Sequence, residues 1–253
     1  MLHYDVRGHY VVLTMDRPEA RNAINPEMSA AIEAAIDRME ADDAVWLGIL
    51  TGVPPVFSAG ADLKALRDGT ADGIATKRGG YFGILNRERD KPIIAAVDGP
   101  ALAGGTEIVL ACDLVVASHR ARFGIPEVKR SLVAGGGGLF RLARKIPFNV
   151  AMECALTGDP ISSERAHELG LVNVLCEDGE ALDRACELAE RICVNAPLAV
   201  RESRKILLET LGEPETVGWR RSAQGLRLVQ ASEDYREGLD AFVEKRSPRW
   251  RGR

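Results

Sequence analysis

Twice in the first half of the chain, a short apolar run passes through a turn of glycine, alanine and proline straight into a helix. A chain patterned this way is committed to alternating strands and helices. Val45-Trp46-Leu47-Gly48-Ile49-Leu50 reads as a buried strand, followed by the bend Pro54-Pro55 and by Phe57-Ser58-Ala59-Gly60-Ala61-Asp62-Leu63, with a helix expected from Asp62 onward. Ile93-Ile94-Ala95-Ala96-Val97 leads through Asp98-Gly99-Pro100-Ala101-Leu102-Ala103-Gly104 into an apolar helix beginning near Gly105, and Leu114-Val115-Val116-Ala117 is the next strand. Upstream, Tyr10-Val11-Val12-Leu13-Thr14 is a β-branched strand after a turn at Gly8. It feeds a helix for which Asn25 is a good N-cap and Pro26 suits the first position, with Met28, Ile32, Ala35, Ile36 and Met39 on one face. The fold class is α/β.

Beyond about Phe148 glycine thins out and helical punctuation takes over. Ser162 or Ser163 can cap a short helix ending at Gly170, and charged amphipathic segments fill Gly179 to Asn195, Leu198 to Leu211 and Glu215 to Arg246. We therefore expect a core over residues 1–195 and a helical region over 196–253 that packs on the core and on a neighbouring subunit. The 253 residues suffice for a sizeable core without metal or disulfide staples. The 33 basic and 37 acidic residues are interspersed, which argues against nucleic acid or an anionic membrane surface as partner. Five cysteines without a C-x-x-C pair fit a reducing compartment. Asp5 stands where a signal or transit peptide would carry basic and apolar residues, so the cytoplasm is the expected location. The most apolar stretches, Ile93 to Val97 and Ile108 to Val116, are too short to span a bilayer.

Four segments could carry chemistry. In Phe57 to Leu63 the small residues let a ligand approach the backbone, and the Ala61 amide at a helix start could meet an anion; the same residues also suit a tight turn that merely packs. In Asp98 to Glu107 the Gly104 amide is a second such donor, and Glu107 opens an otherwise apolar helix either as a dipole partner or as a positioned acid. In Phe123-Gly124-Ile125-Pro126-Glu127, Pro126 fixes the backbone before Glu127 on a loop after a strand, where a lone carboxylate is ordinarily solvated. Twenty residues separate Glu107 from Glu127, each at the mouth of an α/β unit, so the two can converge on one water. Gly135-Gly136-Gly137-Gly138 fails as a dinucleotide fingerprint, because Phe140 stands where G-x-G-x-x-G needs glycine; it fits close backbone approach at another helix start. The four histidines have no metal-ligand spacing, no G-x-S-x-G or Walker A motif occurs, and Cys186 and Cys193 read as a buried helical stripe.

Taken together, Arg17 to Ala23, Phe57 to Leu63, Asp98 to Glu107, Phe123 to Glu127, Leu156-Thr157-Gly158 and the tail Glu237 to Arg246 resemble the crotonase superfamily, specifically its enoyl-CoA hydratase branch. The resemblance runs in order along nearly the whole chain. It implies a spiral of ββα repeats, a helical C-terminal region used for trimerisation, a homotrimer or dimer of trimers, and an acyl-CoA thioester substrate. By match, the thioester oxygen sits between the amides of Ala61 and Gly104, and Glu107 and Glu127 are the two catalytic acids. The same match puts Arg21, Ala23, Ala59, Gly60, Asp62, Leu63 and Lys64 at the substrate, and Phe242 and Lys245 at the adenine and phosphate end of a neighbour's CoA. Neither metal nor separate cofactor is expected.

A 2-enoyl thioester is electrophilic at C3, and hydrating it needs a base for water, an acid for C2 and a seat for negative charge on oxygen. Glu107 is assigned to water and Glu127 to C2. Ala103 departs from the family pattern, which often has a third glycine there, and Lys64 to Arg89 carries no readable acyl specificity. Another reaction of the superfamily, isomerisation or dehydration of a hydroxyacyl-CoA, and a non-catalytic acyl-CoA-binding paralogue are the alternatives.

Overall fold

The structure, a computed structural model, describes residues 1–253. Eleven strands alternate with ten α-helices. In order they are β1 (Leu2–Arg7), β2 (Tyr10–Met15), α1 (Pro26–Ala41), β3 (Leu47–Gly52), α2 (Leu63–Arg67), β4 (Ala75–Thr76), β5 (Gly80–Tyr81), β6 (Ile93–Val97), β7 (Ala101–Leu102), α3 (Gly104–Ala111), β8 (Leu114–Ser118) and β9 (Arg122–Gly124). Then follow α4 (Gly138–Lys145), α5 (Phe148–Thr157), β10 (Ile161–Ser162), α6 (Ser163–Glu168), β11 (Val174–Cys176), α7 (Ala181–Cys193), α8 (Pro197–Thr210), α9 (Glu215–Gln230) and α10 (Glu233–Glu244).

The main sheet has the order β1-β2-β3-β6-β8-β11, parallel except for the antiparallel β1–β2 hairpin. Alternation along its strands explains why both faces are covered. Val11, Leu13, Ile93, Ala95, Val97 and Val115 join the larger core beneath α1 and α3. The intervening Val12, Ile49, Ile94, Ala96 and Val116 face the smaller core on the other side, where α7 lays Ala181, Ala185 and Ala189 against the sheet. Those alanines recur every fourth residue and let the helix lie close. The buried stripe of α7 is thus alanine, and Cys186 and Cys193 are only half-buried at its margin.

Three of the main strands feed a second layer. After β3 the chain runs through Ser58, which bridges Ala101, and Ala61, which bridges Ile24; after β6 it forms β7, and after β8 it forms β9, which pairs with β7 and β10. Each unit is therefore strand, short strand, helical turn, and the units stack as a spiral. Asn22 ties the layers: its buried side-chain amide donates to the Val53 and Val56 carbonyls (2.8 and 2.6 Å) and its oxygen accepts from the Arg17 amide (2.9 Å).

The α1 helix has the expected cap and buried face: the Asn25 side chain accepts from the Met28 amide, and Met28, Ile32, Ala35, Ile36 and Met39 are all buried. The chain also opens with a strand not anticipated above, β1, in which Leu2, Tyr4 and Val6 alternate with His3, Asp5 and Arg7. Three expectations need correction. The strand read over Val45 to Leu50 is shifted to Leu47–Gly52. The segment Glu215 to Arg246 is two helices, broken where Ser232 caps α10 by accepting from the Tyr235 amide. Glu127 sits in a 3-10 turn, Pro126–Arg130, rather than on an open loop. No helix is long and apolar enough to cross a membrane.

Candidate active site

The second layer builds the site. At the parallel bridge Ile24↔Ala61, the Ile24 amide donates to the Gly60 carbonyl and the Asp62 amide to the Ile24 carbonyl. Strand geometry then turns the Ala61 amide the other way, where it meets no acceptor in the chain. Gly104 is the first residue of α3, so its amide has no intrahelical acceptor either. The two donors are neighbours: a Cβ placed on Gly60 would lie 2.6 Å from the Gly104 nitrogen. A Cβ on Gly104 would collide with the Phe82 ring, and one on Gly105 with the Ser58 carbonyl, so only glycine fits at these approaches. Ala103, the N-cap of α3, is held at φ 52 and ψ -126 by its amide bond to the Gly124 carbonyl (2.9 Å). A residue with a side chain pays about 1–3 kcal/mol for such a conformation, and the strain falls beside the Gly104 donor.

Glu107, one turn into α3, is 4% exposed. Its Oε1 accepts the Gly138 amide at 2.9 Å, and a Cβ on Gly136 would sit 2.6 Å from Oε2. Gly136 and Gly138 are therefore glycine because the Glu107 side chain lies against them. Burial pushes the Glu107 carboxyl above the usual range, against the opposing pull of the Gly138 and Gly136 amides and of the Arg141 charge. Glu127, half-buried in its 3-10 turn, is pushed up by burial and further by the charge of Glu107, with only its own amide opposing. Its Oε2 is buried without a hydrogen-bond partner. An unpartnered buried carboxyl oxygen is costly, and less so when the group is protonated and can donate to a ligand.

Both acids and both amides line one cavity of about 510 Å³. Of the residues expected at the substrate, Arg21, Ala59, Ala61, Leu63, Gly104, Glu107 and Glu127 lie in its wall. Gly60, Ala23, Asp62 and Lys64 do not. Gly60 shapes the turn from behind, and the Ala23 carbonyl accepts from Arg17 (2.7 Å). Asp62 caps α2 through the Lys64 and Ala65 amides and pairs with Arg17 at 3.2 Å, and the Lys64 side chain is exposed. Phe242, 85% exposed, and Lys245 belong to α10 and its C-cap, outside this wall.

Residues not anticipated as site residues also line the wall, among them Leu66, Ile74, Tyr81 and Phe82 as a first group and Leu132, Val133, Gly135 and Gly136 as a second. Leu66 belongs to α2, whereas Ile74, Tyr81 and Phe82 sit on or beside the β4–β5 hairpin, anchored because the Glu33 carboxylate accepts from the Thr76 hydroxyl (2.6 Å) and the Arg78 and Gly79 amides (2.8 and 2.6 Å). The signal for the second group was the glycine run itself, read for its close approach but not for what approaches.

A spiral that aims two free amides and two carboxyls, one buried and one half-buried, into one mainly apolar cavity defines a protein of the crotonase fold, equipped to polarise a carbonyl beside an acid–base pair. The chain belongs to the enoyl-CoA hydratase/isomerase family, whose profile matches residues 7–253. It is 42% identical to an enoyl-CoA hydratase of Mycobacterium tuberculosis over 98% of this chain and 95% of that one. It is 38% identical to a carnitinyl-CoA dehydratase of Salmonella paratyphi A, over 100% and 98% of the two chains. A crystal structure of an enoyl-CoA hydratase from Mycobacterium tuberculosis H37Rv superposes with a TM-score of 0.95 at 47% identity, covering 100% of this chain and 99% of the other.

Proposed function

We infer that the protein is an enoyl-CoA hydratase, adding water across the 2,3 double bond of a trans-2-enoyl-CoA. The observation that carries this reading is the pair Glu107 and Glu127, one carboxyl buried and hydrogen-bonded, the other half-buried with an unpartnered oxygen, beside two unoccupied amides. Burial raises both carboxyls, but the Gly138 and Gly136 amides and the Arg141 charge pull Glu107 back toward the ionised form, a base, while the charge of Glu107 adds to the rise at Glu127, an acid. Glu107 takes a proton from water as its oxygen bonds to C3. The C2–C3 π electrons move toward the thioester, whose oxygen carries the negative charge between the Ala61 and Gly104 amides, a stabilisation typically worth about 3 kcal/mol per donor. Glu127 then gives its proton to C2, so the new C3–O and C2–H bonds account for the added water, and proton exchange with solvent resets the acids. The step moves only water and protons, so it calls for no separate cofactor.

Dehydration of a 3-hydroxyacyl-CoA is the same path reversed, and the similarity to a carnitinyl-CoA dehydratase favours testing it alongside. Purified protein mixed with enoyl-CoA esters of four to sixteen carbons is expected to bleach the enone absorbance until the hydration equilibrium is reached, and the corresponding hydroxyacyl esters to restore it. Movement of the double bond without gain of water would move the reading to an isomerase. Binding of the esters with no turnover would make the protein a non-catalytic acyl-CoA binder.

The same reading extends to assembly as a homotrimer or a dimer of trimers. The helices α8 to α10 leave Leu207, Leu211, Trp219, Leu226, Phe242 and Val243 each more than half exposed, an apolar surface that a lone chain would pay to keep in water. In such an assembly Phe242 and Lys245 would reach the adenine and phosphate end of a neighbour's CoA. Light scattering at micromolar concentration is expected to give a multiple of three chains, and a monomer would reject the assembly.

A further inference from the structure

Arg141, on α4 one turn past Gly137, is half-buried and lies outside the cavity wall. Its Nη1 donates to the Gly136 carbonyl at 3.0 Å and its Nη2 to the Leu85 carbonyl at 2.5 Å. These neutral acceptors leave its charge unshared, and the one carboxylate acting on it is Glu107. Gly136 and Gly138 are also the residues whose amides face Glu107. Between them Gly137 takes φ 103, and a Cβ there would collide with Nη1, so the loop is threaded around the guanidinium. Leu85 presses on the same loop from the other side, its Cδ1 occupying the space a Gly136 Cβ would need.

We propose that Arg141 is a positioning residue for Glu107: by bridging the Gly136 and Leu85 carbonyls it fixes the glycine loop whose amides grip that carboxylate, and it supplies the one cation facing it. The assignment rests on the hydratase reading only for the role of Glu107 as base; the clamp itself is geometric. A planar fork with two diverging donors is what two carbonyls from separate segments require, and a lysine ammonium reaches one of them at most. The charged groups around the pair are few. Glu127 faces Glu107 from the 3-10 turn, Arg144 faces Arg141 from its own helix, and Arg89 faces it from the segment before β6.

The decisive measurement is a carboxyl titration of Glu107 in substrate-free protein by glutamate 13C NMR, its signal identified by its loss in Glu107→Gln, paired with hydration kinetics. Arg141→Met is expected to raise the Glu107 midpoint, because an opposite charge that favoured the ionised form is gone. It should also lower kcat about tenfold with KM nearly unchanged, as the base is left misplaced and less ionised. In a Glu107→Gln background the same substitution should cost nothing further, since a residue acting through Glu107 has nothing left to act on. Arg141→Lys, which keeps the charge and loses the fork, should keep a near wild-type midpoint with a lowered kcat. An unmoved midpoint in Arg141→Met, or losses that multiply in the double variant, would overturn the proposal. If Arg141→Met does not fold, Arg141→Lys decides: a raised midpoint or a wild-type kcat rejects the assignment. Should wild-type protein hydrate no enoyl-CoA, the hydratase reading fails on that result, and the midpoints still decide whether Arg141 acts on Glu107.

Discussion

Glu127→Gln and Glu107→Gln are each expected to lower kcat for enoyl-CoA hydration by about 100-fold or more, while affinity for CoA esters stays close to wild type. Glutamine keeps the shape at either position. At Glu107 it can still accept the Gly138 amide at the Oε1 position, but it cannot take a proton from water. At Glu127 it can still donate a hydrogen bond, but has no acidic proton for C2. If the two work as one unit on a single water, the double variant should be far less than multiplicatively slower. A wild-type rate in either single variant would remove that carboxyl from the mechanism. For Glu127 it would restore the ordinary reading of a carboxylate at the surface of a turn.

The same substitution has an opposite effect on stability. Burial raises the Glu107 carboxyl above its unfolded value, so between the unfolded and folded midpoints the folded state binds more protons, and stability falls as pH rises through that window. As pH rises through that window wild-type protein takes on that penalty, and glutamine removes it. Glu107→Gln is therefore expected to melt above wild type at pH 7 to 8. The difference should shrink as pH falls below the ordinary glutamate range, where both carboxyls are neutral. Parallel thermal melts at pH 4 and pH 8 measure this, and an equal offset at both would show that the gain has another source.

Those acids differed in how far sequence exposed them. Glu107 was legible because it interrupts an apolar helix at its first turn, a place where a carboxyl is either capping or chemical. Glu127 gained meaning only from its partner, since Pro126 and a 3-10 turn look the same whether or not a cavity lies beneath. The Ala61 and Gly104 donors were legible as helix starts after strands, because small residues and punctuation are local signals. What stayed hidden is long-range. β1 does alternate, with Leu2, Tyr4 and Val6 against His3, Asp5 and Arg7, but it is a short edge strand whose side chains are mostly exposed, and its pairing with β2 is what makes it a strand. The break at Ser232 has a local signal, the N-cap serine followed by Glu233 and Asp234, whereas the C-terminal tail that docks there, its Arg251 and Gly252 amides donating to the buried Asp234 carboxylate at 2.7 and 2.8 Å, does not. Phe82 and Arg141 matter through residues far along the chain, Gly104 for one and Leu85 for the other, and a polar residue on an amphipathic helix ordinarily reads as solvated.

Gly60→Ala is expected to cost roughly 100- to 1000-fold in kcat, the scale for losing one oxyanion donor, although residue 60 itself lies outside the cavity wall. Its φ of 86 favours glycine, so alanine costs about 1–2 kcal/mol in backbone strain alone. The added methyl would also stand 2.6 Å from the Gly104 nitrogen and 3.1 Å from the Leu102 carbonyl oxygen. Both are backbone atoms of the strand-to-helix turn and cannot rotate away as a side chain would. Either the Ala61 turn or the start of α3 must move, and a displacement near 1 Å is enough to spoil a preorganised donor pair. Gly170→Ala separates strain from displacement: Gly170 has φ 83 with nothing within 4 Å of a Cβ, so that variant should lose similar stability with kcat intact. Comparing kcat with melting temperature for the two variants isolates the geometric effect. Equal, small losses of kcat in both would mean that the Ala61 and Gly104 amides are not where the thioester oxygen sits.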